Sequence, residues 1–162
     1  MRRIALTTVT TMTALGLVAT PALSGGTAGR APAAAKLRVI ISEKGRFPVP
    51  GGGTFVLSGP AGSDSGRTAV TPGPGPDRIR DGQSFHVVKG TDHLYGKRGE
   101  LMIRFTGVSI DIADEADVEY GTWSIYTAFS TGAYEGWRGG GRWASSSKGG
   151  LYVVRWEGLI TP

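Results

Sequence analysis

The chain contains no cysteine. That excludes a disulfide, a thiolate nucleophile and a lipid-modified cysteine, and it leaves packing alone to stabilise whatever folds. Histidine is nearly as scarce, with His86 and His93 the two in the chain. Neither stands beside a serine, and the Gly-x-Ser-x-Gly elbow of serine hydrolases is missing. The stretch "HVVKGTDH" sets the two histidines seven apart with Asp92 between, short of the ligand set of a zinc site. A solvated or hydrogen-bonded state is the expectation for His86. No phosphate-cradling loop is present, because "GPGPD" has prolines where backbone N–H donors are needed. No ten-residue stretch shows a capped helix, and no segment is long and apolar enough to span a bilayer. A real excess of charge is missing too. The net charge is +5, but four of the basic residues (Arg2, Arg3, Arg30, Lys36) precede Leu37 and every acid follows it. The remainder is nearly neutral, which gives little support for nucleic acid as a partner, since that binding rests on phosphate neutralisation.

What is present begins with a leader-like N-terminus. Arg2 and Arg3, a moderately apolar run to Ala19 and a tail of small residues form the three-part pattern of a secretory signal over residues 1–22. Residues 23–36, "LSGGTAGRAPAAAK", are small and Gly/Ala/Pro-rich and are expected to be a cleaved or disordered spacer. Residues 37–162 form the folding domain, one of a size that can bury roughly two thirds of its unfolded surface.

In that domain apolar residues alternate with polar ones. Leu37, Val39 and Ile41 share a face, as do Phe55 and Leu57, and Phe85 and Val87, with His86 opposite. Leu101, Ile103 and Phe105 form a fourth set. Trp123, Ile125 and Phe129 form a fifth, and Tyr152, Val154, Trp156 and Ile160 a sixth. After Gly107 the apolar parity changes to Val108 and Ile110, the pattern of a bulge. About eight strands joined by turns such as "PVPGGG" and "YGKRG", with no helical crossovers, predict an all-β antiparallel barrel, with a sandwich as the alternative. Glycine, at 27 residues, is over twice the usual ~7%.

Two short stretches invite a functional reading. "TGAYEGWRGGGRW", residues 131–143, is predicted to be a hairpin or bulged corner between strands ending near Ser130 and beginning after Gly150. Gly132, Gly136, Gly139 and Gly141 supply its conformational freedom, with Tyr134 and Trp137 packed over it. The acidic run "DIADEADVE" places Asp111, Asp114 and Asp117 close together. It lacks the ligand spacing of a calcium loop, so a solvated hairpin loop is expected and a metal site through those three aspartates is the alternative. Phe105, Trp123, Tyr152 and Trp156 are the candidates for lining a barrel interior. No catalytic set is legible, and no cofactor is expected.

The residues also suggest a resemblance. Gly53-Thr54-Phe55, "YGKRGELMIRF" (95–105), "GTWSI" (121–125) and above all "STGAYEGWRGGGRW" (130–143) resemble the turn-and-strand motifs of allene oxide cyclase and dirigent barrels of the calycin type, over about residues 50–160. Thr131-Gly132 keeps the usual Thr-Gly pair, although Ser130 stands where a glycine often precedes it. The resemblance implies an antiparallel barrel with an apolar interior. Plant members cyclise an unstable fatty-acid epoxide without a cofactor or guide phenoxy-radical coupling, and none of their working residues maps onto this chain. Two functions follow as expectations. One is a secreted barrel that binds a small apolar or aromatic molecule, or serves as an extracellular interaction module. The alternative is a cofactor-free cyclase, isomerase or coupling guide. A polar group buried among the inward aromatics favours the enzyme, and a filled, wholly apolar interior favours the structural role.

Overall fold

Alternation at period two forces a sheet with one apolar face, and a sheet of this length hides that face by closing on itself. A computed structural model describes residues 34–46, 53–73, 75–80, 83–113 and 116–162. The expected leader, residues 1–22, and most of the spacer lie outside the described residues. Nine strands follow in order: β1 (Leu37–Arg46), β2 (Gly53–Ser58), β3 (Asp64–Gly73), β4 (Asp77–Arg80), β5 (Gln83–Gly96), β6 (Gly99–Ala113), β7 (Ala116–Ile125), β8 (Arg138–Lys148) and β9 (Leu151–Thr161). Two 3-10 turns, Thr127–Phe129 and Gly132–Tyr134, sit between β7 and β8. Every pairing is antiparallel. The order β3-β2-β1-β9-β8-β7-β6-β5 is closed by β3 against β5, an eight-stranded barrel compatible with the calycin type, with β4 added beside the start of β5.

The inner face is graded from one end to the other. At the end formed by the β2–β3, β5–β6 and β7–β8 connections, Ile41, Leu57, Leu94 and Ile103 are fully buried. Their neighbours Val39, Leu101, Ile125 and Ile160 complete an aliphatic plug. Across the middle stand Phe105, Trp123, Trp143 and Trp156. Their ring centroids lie 5.4–6.4 Å apart, mostly edge to face, the arrangement aromatic quadrupoles prefer. Some of the glycines lie against these rings. A Cβ on Gly158 would lie 2.8 Å from the Trp123 ring, and one on Gly107 would lie 2.8 Å from the Trp143 ring.

That socket corrects the expected bulge. Register runs unbroken through Gly107, which pairs with Gly121, and the β6–β7 shift comes only between Asp111 and Ala113. The odd positions therefore stay inward, so Ser109 is buried, while Val108 and Ile110 face outward. Gly107 permits the close approach of the Tyr120 carbonyl and the Trp143 ring and does not mark a change of phase. On β5 the even positions, Asp92 and Leu94, are the buried ones, so Phe85 and Val87 face outward and His86 lies on the inner side.

The glycine-rich corner also differs from its expected form. β7 ends at Ile125, so Phe129 leaves the strand pattern for a 3-10 turn, 51% exposed. β8 begins at Arg138, so half of "TGAYEGWRGGGRW" is strand. Gly132 and Gly136 turn the chain at φ 63° and 80°. Gly141 has ordinary extended backbone, and its lack of Cβ serves a close approach, since a Cβ there would lie 1.9 Å from the Glu157 carbonyl oxygen.

The corner is clamped to the barrel by Asp64. Its carboxylate accepts from the Tyr134 hydroxyl at 2.6 Å and from the backbone N–H groups of Ser65, Lys97 and Arg98 at 2.8–3.0 Å. Burial pushes the Asp64 carboxyl up, but these four donors outweigh it and hold it below the ordinary range. Asp64→Ala leaves the fully buried Tyr134 hydroxyl without its acceptor, so a loss on the order of 3 kcal/mol is expected in denaturant titration. A depressed carboxyl stabilises above its unfolded value, and that contribution disappears as pH falls through its folded value. The wild-type advantage over Asp64→Ala therefore shrinks toward acid pH. An advantage constant down to the lowest pH that keeps the fold would refute the clamp as an ionic one.

Candidate functional site

Beyond the aromatic layer the inner face changes from apolar to acidic. β1 carries the alternation Val39, Ile41, Glu43, and β5 carries Leu94, Asp92 in the opposite direction. Because strand parity admits no choice, both carboxyls point into the barrel. Glu43 is 3% exposed and Asp92 0%. Three groups converge on them. The Trp156 indole N–H donates to Glu43 Oε1. Thr68 is fully buried on β3, and its hydroxyl lies beside that of Tyr152, which feels the charge of both carboxyls. Gly45 and Gly53 make room for that tyrosine, since a Cβ on either would lie within 2.4 Å of its hydroxyl oxygen.

The electrostatics of the pair follow from this crowding. Burial pushes the Glu43 carboxyl well above the ordinary range. The neighbouring Asp92 carboxylate raises it further, against the Trp156 N–H, which lowers it. Burial also raises Asp92, but its neighbours Glu43 and His93 offset part of that. Two carboxyls in one low-dielectric site cannot both ionise and therefore hold a single proton between them. Glu43 Oε2 and both Asp92 oxygens are buried with no hydrogen-bond partner among the described residues, which for charged groups costs several kcal/mol and so favours protonation.

Further along the inner face, toward the β6–β7 and β8–β9 connections, lie Ser109, Ser145, Asp117 and Glu119. Register pairs Glu119 with both serines. Burial and the neighbouring Asp117 charge push the Glu119 carboxyl up to about 7, against a hydrogen bond with Ser109. At the rim His86 bonds Asp77 at 2.7 Å and Asp111 at 3.2 Å, and these two carboxylates hold its imidazole above its ordinary value. The end of the barrel opposite the Asp64 clamp is thus acidic from the rim to the buried pair.

Of the residues singled out by sequence, Phe105, Trp123, Tyr152 and Trp156 all lie on the inner face. Trp123, Trp156 and Tyr152 are buried, and Phe105 is half-buried. Trp123 spends its N–H on the backbone carbonyls of Arg142 and Glu157, whereas Trp156 spends its own on Glu43. Gly132, Gly136 and Gly139 lie in the corner and at the start of β8, while Gly141 on β8 is the cross-strand partner of Trp123. Asp111 and Asp117 are cross-strand partners, while Asp114 lies outside the described residues. Among the described residues no group of three His, Asp or Glu side chains is arranged to hold a metal, and no helix is long and apolar enough to cross a membrane. Sequence reasoning missed Glu43 and Asp92. A signal was available in each case, since an acid stands at an inward position of an otherwise apolar alternation. Comparison of the chain with protein-family models, curated proteins and solved structures gives no match.

Proposed function

We propose that this protein is an exported barrel that takes up a small molecule with an apolar or aromatic body, and that Glu43 and Asp92 move a proton on that molecule without a cofactor. One observation carries the reading: two carboxyls, both pushed up by burial, lie in the same interior as Phe105, Trp123, Tyr152 and Trp156. A barrel that served packing alone would gain stability by replacing such a pair with aliphatic side chains, and displaced carboxyl pKa values are a mark of acid–base sites.

The step is simple in outline. Glu43 gives its proton to an oxygen or an alkene carbon of the seated molecule while Asp92 removes one from a neighbouring carbon. A double bond shifts or a ring closes, the proton count is unchanged, and the proton returns from Asp92 to Glu43 through their shared contact. Isomerisation or cyclisation is the reaction class that needs nothing else. The acidic end of the barrel favours a neutral or cationic molecule over an anionic one, and the tryptophan faces suit a cation.

Native mass spectrometry of protein purified from its own host tests retention of such a molecule, and deuterium uptake from heavy water tests proton transfer. The wild type is expected to exchange a carbon-bound hydrogen of the retained molecule, and Glu43→Gln and Asp92→Asn to hold the molecule without exchange. Retention with no exchange in the wild type leaves a carrier, and no retained molecule removes the reading altogether. Export rests on residues 1–22, and N-terminal sequencing of the secreted form is expected to begin between Ala22 and Lys36.

A further inference from the structure

The near-neutral charge of the domain conceals a sorting of charge by wall. Acids collect on the inner face and at the rim described above. Outward positions of β1, β9 and β8, which are adjacent in the barrel, collect cations. β1 presents Arg38, Lys44 and Arg46, β8 presents Arg138, Arg142 and Lys148, and β9 presents Arg155, all exposed. Among the described outward positions of these strands Glu157 is the one acid, bound by Arg38 at 3.3 Å and Arg155 at 2.6 Å. The other five cations have no carboxylate partner among the described residues.

The register orders these groups into a stripe. Leu151 on β9 lies between Arg46 of β1 and Lys148 of β8, and Val153 pairs with Lys44. Leu159 pairs with Arg38 on one side and Gly140 on the other. The central strand therefore carries Leu151, Val153 and Leu159, 54%, 55% and 52% exposed, with a β1 cation beside each of them and a β8 cation, Lys148, beside Leu151. At ~3.3 Å per residue the stripe runs about 30 Å. Aliphatic side chains with cations beside them, and no aromatic platform for base stacking, match the chemistry of an anionic bilayer surface, where leucine and valine enter the headgroup layer and lysine and arginine meet lipid phosphates. Cations along the whole wall also set it apart from the unbroken apolar band of a spanning barrel.

We infer that the outer wall formed by β1, β9 and β8 docks this protein on anionic phospholipid surfaces. This stands apart from the interior site, because the groups involved face the other way through the same strands. Vesicle flotation tests it with the full chain, using phosphatidylcholine alone and an equal mixture with phosphatidylglycerol. Binding is expected to the mixed vesicles only and to weaken with salt. Each cation near such a surface contributes about 1 kcal/mol, a factor of about five in partition, so Lys44→Gln, Arg46→Gln and Lys148→Gln together lower it about a hundredfold. Leu151→Ser with Val153→Ser is expected to abolish the remainder while leaving the melting temperature, read in parallel, near that of the wild type. Failure to float with mixed vesicles overturns the inference. So does binding that ignores Leu151→Ser with Val153→Ser and is matched by duplex DNA, because the wall then reads charge and not a lipid surface.

Discussion

Replacing Trp156 with alanine is expected to lower stability by about 3–5 kcal/mol, the upper range for truncating a buried aromatic side chain. Two losses coincide at this position. The indole is the centre of the aromatic layer, with Phe105, Trp143 and Trp123 at centroid distances of 5.8, 5.4 and 6.4 Å, so its removal opens a cavity that three rings cannot collapse into. The indole N–H is also the donor to Glu43, which would remain buried without it. Trp156→Phe separates the terms. It keeps most of the volume and removes only the donor, so about 1–2 kcal/mol is expected. Equal costs for the two variants would show that packing is irrelevant here. A phenylalanine variant as stable as the wild type would show that the bond to Glu43 contributes nothing. For an apolar ligand followed by tryptophan fluorescence, Trp156→Phe is expected to weaken binding more than a change at Trp137, which packs on Tyr134 in the corner.

Glu43→Gln is expected to raise stability at neutral pH, because burying the carboxyl requires uptake of a proton that the amide does not need. The amide keeps an oxygen for the Trp156 N–H and offers its own N–H₂ to Asp92. The direction with pH follows from linkage. Glu43 is raised in the folded state, so in the unfolded chain it loses its proton first as pH rises. Its contribution is complete below the unfolded value and is lost as pH climbs toward the folded one. The variant has no such group, so the two proteins converge in acid and separate steadily above the ordinary carboxylate range of about 4. Glu119, raised to about 7 by burial and Asp117, also loses stability with rising pH, but it is common to both proteins and cancels in the difference. Thermal melts of both across pH decide the matter. A variant less stable than the wild type throughout would mean that Glu43 is held ionised, and the shared proton would be discarded.

The Glu43→Gln and Trp156→Phe results also bear on function, since both variants keep the barrel. If exchange into a retained molecule is lost in Glu43→Gln while stability rises, the pair is held against the interest of folding, which is the signature of a working site.

How much of this could be read from the chain follows from the physics of strands. Period-two alternation, the absence of capped helices and the turn residues determined an antiparallel all-β domain, and they placed Phe105, Trp123, Tyr152 and Trp156 on its inner face. Side-chain direction is a local property of an extended backbone, so one strand is enough to decide it. Three things were decided only by the closed barrel. Gly107 looks like a bulge in sequence, yet it is a socket, because the Trp143 ring that fills it comes from another strand. Glu43 and Asp92 lie 49 positions apart in sequence and become a pair only when β1, β2, β3 and β5 curve round into one interior. The net charge, read as a sum, conceals seven cations on one wall and the acids inside, because the sum has no direction and closure of the sheet supplies one.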